Sequence, residues 1–216
     1  MPDFKGVIFT PEDEPYLGMA EIKALDDLIV KIMRELERAK PHTGSDQLSA
    51  HQKAAILLIP SAVSLCLSVR ELIRQAYLHG ALTLLRPILE RTITIQYLRL
   101  HPNALVIWEK GWEYRKRPKL YQMTESLFAG HLDDELRELL SESNLSIHQI
   151  LTKEGNDMVH GGLDGLLKNV TLGENGPVSS PGKVLNRPDL AKKAALECTA
   201  WLTMLMVESS VAFPES

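Results

Sequence analysis

The chain has 216 residues, 44% of them hydrophobic and 24% charged, and a formal charge of −4. That length is enough for a single domain with an ordinary core. The mild negative charge excludes a general electrostatic attraction to nucleic acid or to an anionic membrane, and leaves room only for a local basic site.

Cys66 and Cys198 lie in apolar helical sequence and neither belongs to a C-x-x-C pair, so zinc or thioredoxin-like chemistry is not expected. They read as buried free thiols of a reducing compartment, with a single long-range disulfide as the other option. The opening "MPDFKGVIFTPEDEP" has neither the basic segment nor the long apolar run of a secretory leader. A cytoplasmic protein is expected.

Helical periodicity dominates the chain. Ile22, Leu25, Ile29, Ile32 and Leu36 recur three and four apart, which predicts a first helix within 16–40. Lys23, Asp26, Asp27, Arg34 and Glu37 form its outer face, and Pro41 stops it. The core helices are expected over 49–160. The first of them starts near Ser49 and runs to about 79, kinked or divided at Pro60, with Gly80 as its end. Its apolar stretch, "AAILLIPSAVSLCLSV", falls short of the roughly 20 residues of a membrane span, so no membrane partner is expected.

The next helix, 81–100, is apolar on nearly every face, which places it among other helices at the centre. Shorter helices are expected at 103–115, 118–128, 132–142 and 146–160. Over 168–187, "KNVTLGENGPVSSPGKVLNR" predicts a long loop or a small hairpin around "GENG". Pro188 then opens a last helix, 188–212, with Leu190, Ala194, Cys198, Trp201 and Leu205 on one face. There is no internal repeat and no heptad run. The expectation is all-α: a compact multi-helix bundle in one domain, 1–216.

Three groups of polar residues stand out. Arg86 and Glu90, in "LLRPILERT", are four apart on the central helix, where opposite charges can pair. Burial would make that pairing obligatory. The pair then either fixes helix register or floors a site in which Arg86 holds an anion. Pro87 between them frees the carbonyl of Thr83, and such a bend can line a cleft.

The second group is "NDMVHGG". Gly161 and Gly162 suit the left-handed end of a helix, which puts His160 in its last turn, with Asn156 and Lys153 on the same face. The negative helix end favours imidazolium, so His160 is either a proton donor or a plain cap. The third is "WEKGWEYRKRPKLY", residues 108–121. Arg115, Lys116, Arg117 and Lys119 are interleaved there with Trp112, Tyr114 and Tyr121: either a solvated helix end anchored by Trp108 and Trp112, or a mixture of cations and stacking surfaces that suits single-stranded nucleic acid. The other histidines are scattered without metal-ligand spacing, and no phosphate loop or nucleophile elbow is present. No metal and no cofactor is expected.

The all-helical pattern, "LLRPILER" on a core helix and the late "NDMVHGG" together resemble a group of uncharacterised bacterial helical proteins over roughly 50–210. More remotely the chain resembles the HEPN (higher eukaryotes and prokaryotes nucleotide-binding) superfamily. That superfamily includes metal-independent ribonucleases of defence and toxin–antitoxin systems and relatives that only bind. Its signature is an arginine, usually a polar residue, and a histidine after four to six intervening residues. His160 fills the histidine place and Asn156 the polar one, whereas Gly155 or Lys153 stands where the arginine would be. Lysine is a point charge without the planar fork of a guanidinium.

The resemblance implies a homodimer, RNA or nucleotide binding, and a catalytic set of His160, Lys153 and Asn156. Arg86, Glu90, Arg115 and Arg117 would be the binding residues. The alternative is a non-enzymatic helical interaction module in which the Arg86–Glu90 pair is structural.

Overall fold

The computed structural model describes residues 14–39, 48–113, 117–128, 149, 151–152, 170–173, 176–179 and 187–214. These contain six long or medium helices: α1 (Ala20–Ala39), α2 (Ala50–Arg74), α3 (Leu78–Leu100), α4 (Pro102–Glu109), α5 (Leu120–Phe128) and α6 (Pro188–Ala212). A two-stranded antiparallel hairpin, β1 (Val170–Gly173) and β2 (Gly176–Ser179), pairs Val170 with Ser179 before α6. The protein is all-α with this small hairpin where the turn-rich sequence places it. The expected helix 132–142 lies outside the described residues. So does 146–160, except that 149, 151 and 152 are helical.

The core follows the periodicities. Ile22, Leu25, Ile29 and Ile32 of α1 are buried, as are Leu190, Ala194, Cys198, Trp201 and Leu205 of α6. α3 is central: it packs against α2, α4, α5 and α6, and Leu82, Ile88, Ile93, Ile95 and Leu98 are sealed on different sides of it. Cys66 and Cys198 are both buried and free, and face each other between α2 and α6. Contact with Cys66, and burial after it, push the Cys198 thiol far up, so it stays neutral.

Three helix boundaries differ from expectation. α2 begins with a reciprocal cap, Ser49 accepting from the Gln52 amide and Gln52 Oε1 from the Ser49 amide. It continues through Pro60, and ends at Gln75 rather than Gly80. The chain turns on Ala76, at φ 56, while the Ala76 and Tyr77 amides donate back to Ile73 O and Leu72 O. That is the Schellman arrangement, with alanine in the place glycine usually holds. Gly80 instead sits inside α3, where a Cβ would lie 3.3 Å from Leu72 Cδ1, so its missing side chain lets α2 and α3 close tightly. α4 stops at Glu109, short of the expected 115, because Gly111 takes φ +85 and its amide closes on Trp108 O at 2.9 Å. This left-handed residue turns the chain back towards α3.

α2 is long and apolar enough to cross a membrane by length and composition. Ala54, Ala55, Ile59, Ala62, Val63, Cys66, Val69 and Ile73 line its buried side.

Candidate functional site

The reversal at Gly111 brings the basic segment onto α3. The Arg117 amide donates to Glu113 O at 3.0 Å, and the Lys119 amide donates to Gln122 Oε1 at 2.8 Å, which caps the start of α5. α5 then packs along α3, buried through Met123, Thr124 and Leu127. His101 Nε2 and Ser126 Oγ, 2.9 Å apart, join the far end of α3 to α5.

Between these elements opens a cleft of about 520 Å³. Arg86 and Glu90 of α3, Trp112, Arg117, Pro118 and Lys119 of the segment before α5, and Leu120 and Met123 of α5 line it. Two groups that are separate in the sequence, the Arg86–Glu90 pair and the basic aromatic segment, therefore meet in one place. Among the described residues, three cations and one carboxylate line it beside an indole and a proline ring. Such a lining favours an anion that also carries a flat or apolar part.

The pair is made, with Arg86 Nε 3.0 Å from Glu90 Oε1. It is not buried. The side chains are 25% and 45% exposed, because α3 turns this edge towards the cleft and not towards α2 or α6. The expectation of a low-dielectric pair with an obligatory partner is corrected accordingly. Glu90 engages the guanidinium through Nε while the arginine stays partly exposed, so an arriving anion can compete for it.

Of the other expected site residues, Arg117 is exposed on the cleft wall. His160, Lys153, Asn156 and Arg115 lie outside the described residues. Among the described residues no group of three His, Cys, Asp or Glu side chains could hold a metal ion.

Two polar networks went unread in the sequence. Glu208 of α6 is 1% exposed and accepts from Arg99 Nε of α3 at 2.9 and 3.1 Å, with His51 Nε2 of α2 at 3.7 Å. Burial pushes its carboxyl up, but His51 and Arg99 together outweigh that and hold it below the usual glutamate range. Arg70 of α2 joins Asp26 of α1, at 2.5 and 3.1 Å, and Glu14, at 2.6 Å. Burial alone would lower the Arg70 pKa; the two carboxylates reverse that and secure its charge. Both networks tie helices together around the core and lie apart from the cleft lining.

Fold and cleft thus define an all-helical protein with a cationic, partly aromatic cleft along its central helix. Residues 52–153 match a family of unknown function, DUF5677. The match runs from the first turn of α2 past α5, so it takes in every described residue of the cleft lining and leaves α1 and α6 outside. No curated protein and no solved structure matches the chain.

Proposed function

We propose that the cleft binds the phosphate-bearing part of RNA or of a nucleotide, and that the protein is a HEPN-like helical protein of bacterial defence or stress. The observation that carries the reading is the meeting of Arg86, Arg117 and Lys119 with Trp112 in one cleft. Guanidinium groups recognise phosphate by paired donors, the lysine adds a point charge, and the indole offers a stacking face. Glu90 competes with the ligand for Arg86, which sets a moderate affinity and disfavours weak anions. Cleavage, if it accompanies binding, falls to His160 as proton donor, with Lys153 in place of the superfamily's arginine and Asn156 beside it.

Fluorescence anisotropy with a labelled single-stranded RNA, in EDTA, tests the binding. The wild type binds at low salt. Arg117→Ala and Lys119→Ala each weaken it and lower the slope of log K against log salt by about 0.7 for each phosphate no longer neutralised. Glu90→Gln tightens it, since Arg86 then loses its competitor. Absence of binding at about 50 mM salt, where such electrostatic attraction is strong, rejects the reading. Cleavage is scored separately: His160→Ala and Lys153→Ala abolish metal-independent RNA breakdown while leaving the melting midpoint unchanged.

The interaction-module reading draws on a different observation, an apolar stripe that α2 leaves in solvent.

A further inference from the structure

Along its outer side α2 exposes Lys53, Leu57, Pro60, Ser64, Leu67 and Glu71. Their spacings alternate four and three, which keeps all six on one narrow stripe, the geometry of a helix–helix seam. Leu57 is 62% and Leu67 41% exposed. Two leucines in water on a core helix leave apolar area that a partner would cover.

The stripe has a further property: its order reads the same from both ends. Each member has a counterpart at equal distance on the other side of Ala62, which itself points into the core. Cation answers acid, Leu57 answers Leu67, and Pro60 answers Ser64. Such order is what a two-fold contact requires, because residue i must suit residue j and j must suit i.

We propose that α2 is a self-docking surface, on which a second copy of this chain lies antiparallel about a two-fold axis at Ala62. Lys53 then faces the partner's Glu71 and Leu57 packs on the partner's Leu67. Ser64, small and opposite the partner's Pro60, allows the helices to approach at the centre. A parallel copy would set lysine on lysine and glutamate on glutamate, so charge selects the antiparallel arrangement.

Within the chain Lys53 Nζ lies 3.4 Å from Glu109 Oε1, and Glu71 accepts from Arg74 and Gln75. Each end of the seam therefore carries mixed charge, to which a partner's charge adds. The seam is about 27 Å long at the helical rise. A single helix face of that length buries less than the roughly 800 Å² per partner of a standard interface, so the association is reversible and concentration-dependent. This surface is independent of the cleft, and either proposal stands if the other fails.

Sedimentation velocity on the full chain from about 1 to about 200 µM spans the weak-dimer range and decides it. The wild type shifts from monomer to dimer across the series. Leu57→Glu and Leu67→Glu each raise the dissociation constant by about tenfold or more, equivalent to ~1.4 kcal/mol. Lys53→Glu and Glu71→Lys each weaken the dimer, and the double exchange restores it, because both ends of the antiparallel seam are swapped together. Circular dichroism and the melting midpoint confirm that every variant is folded; the charge exchange alone decides the matter if the glutamate variants are not. A protein monomeric at all concentrations, a dimer indifferent to these changes, or a double exchange that fails to recover overturns the proposal. So does Leu57-dependent sedimentation with phosphatidylcholine vesicles, which would assign the stripe to a lipid surface.

Discussion

Removing Arg99 from its contact with Glu208 tests the energetics of the core most directly. Glu208 is sealed at 1% exposure, and its charge is held by Arg99 and, more distantly, by His51. Deleting one partner of a buried pair costs about 3–5 kcal/mol, chiefly because the other charge is left behind. Two features of this site reduce that figure. The Arg99 side chain is 35% exposed, so water already screens part of the pair, and His51 remains 3.7 Å from the carboxylate. Arg99→Ala should therefore cost about 2–3 kcal/mol, read as a shift in the urea midpoint at pH 7. Glu208→Gln should cost less, about 1 kcal/mol, since the stranded arginine can turn to water.

The pH dependence adds a second reading. In the wild type the Glu208 pKa is lower folded than unfolded, so its contribution is present above the unfolded glutamate value of roughly 4.3. It is lost as pH falls through the folded value. In Arg99→Ala burial opposes His51 alone, and the carboxyl moves up. The deficit of the variant should thus be largest at neutral pH and should shrink as the pH falls through the folded wild-type value, below which the carboxyl is protonated in either state. A loss under about 0.5 kcal/mol, the size of an ordinary surface change, or a deficit independent of pH, would refute this account.

Two further ion pairs should separate by burial. Arg70→Ala strands Glu14, whose side chain is 4% exposed, and should cost about 2–3 kcal/mol in urea unfolding. Glu90→Ala, at the open edge of the cleft, should stay within about 0.5 kcal/mol. Two glycines should respond to alanine differently. At Gly111 nothing lies within 4 Å of a new Cβ, yet φ +85 is strained for any L residue, so a loss of about 1 kcal/mol in thermal unfolding is expected. At Gly80 the helix gains up to about 1 kcal/mol in propensity, offset by a Leu72 side chain that must yield, and the net change should be near zero.

Much of the fold was legible because a helix writes its buried side into the spacing of its apolar residues. The stripes of α1 and α6 and the all-round apolarity of α3 led directly to the observed core. The boundary between α2 and α3 did not. Glycine is the usual left-handed cap, so Gly80 drew the prediction, but the chain turns at Ala76 and uses Gly80 for close helix packing. Local preference cannot distinguish a glycine chosen for its φ from one chosen for its missing side chain.

The polar residues divide along a similar line. Glu208 was readable in principle: it follows Trp201 by seven and Leu205 by three, so the same period that buries them buries it. What no spacing could supply was its partner, since Arg99 is 109 residues away on another helix. Arg86 and Glu90 present the converse case. Their partnership was evident from a four-residue spacing, and their burial was then assumed from the apolar helix around them. A helix packed on several sides still has seams between its neighbours, and the seam between α3 and the segment leading into α5 is open. Periodicity ranks the faces of one helix; only the arrangement of the others decides which face is left uncovered. Arg86 and Glu90 are left half-exposed at that seam, whereas Glu208 of α6 is sealed and committed, through Arg99, to holding the helices together.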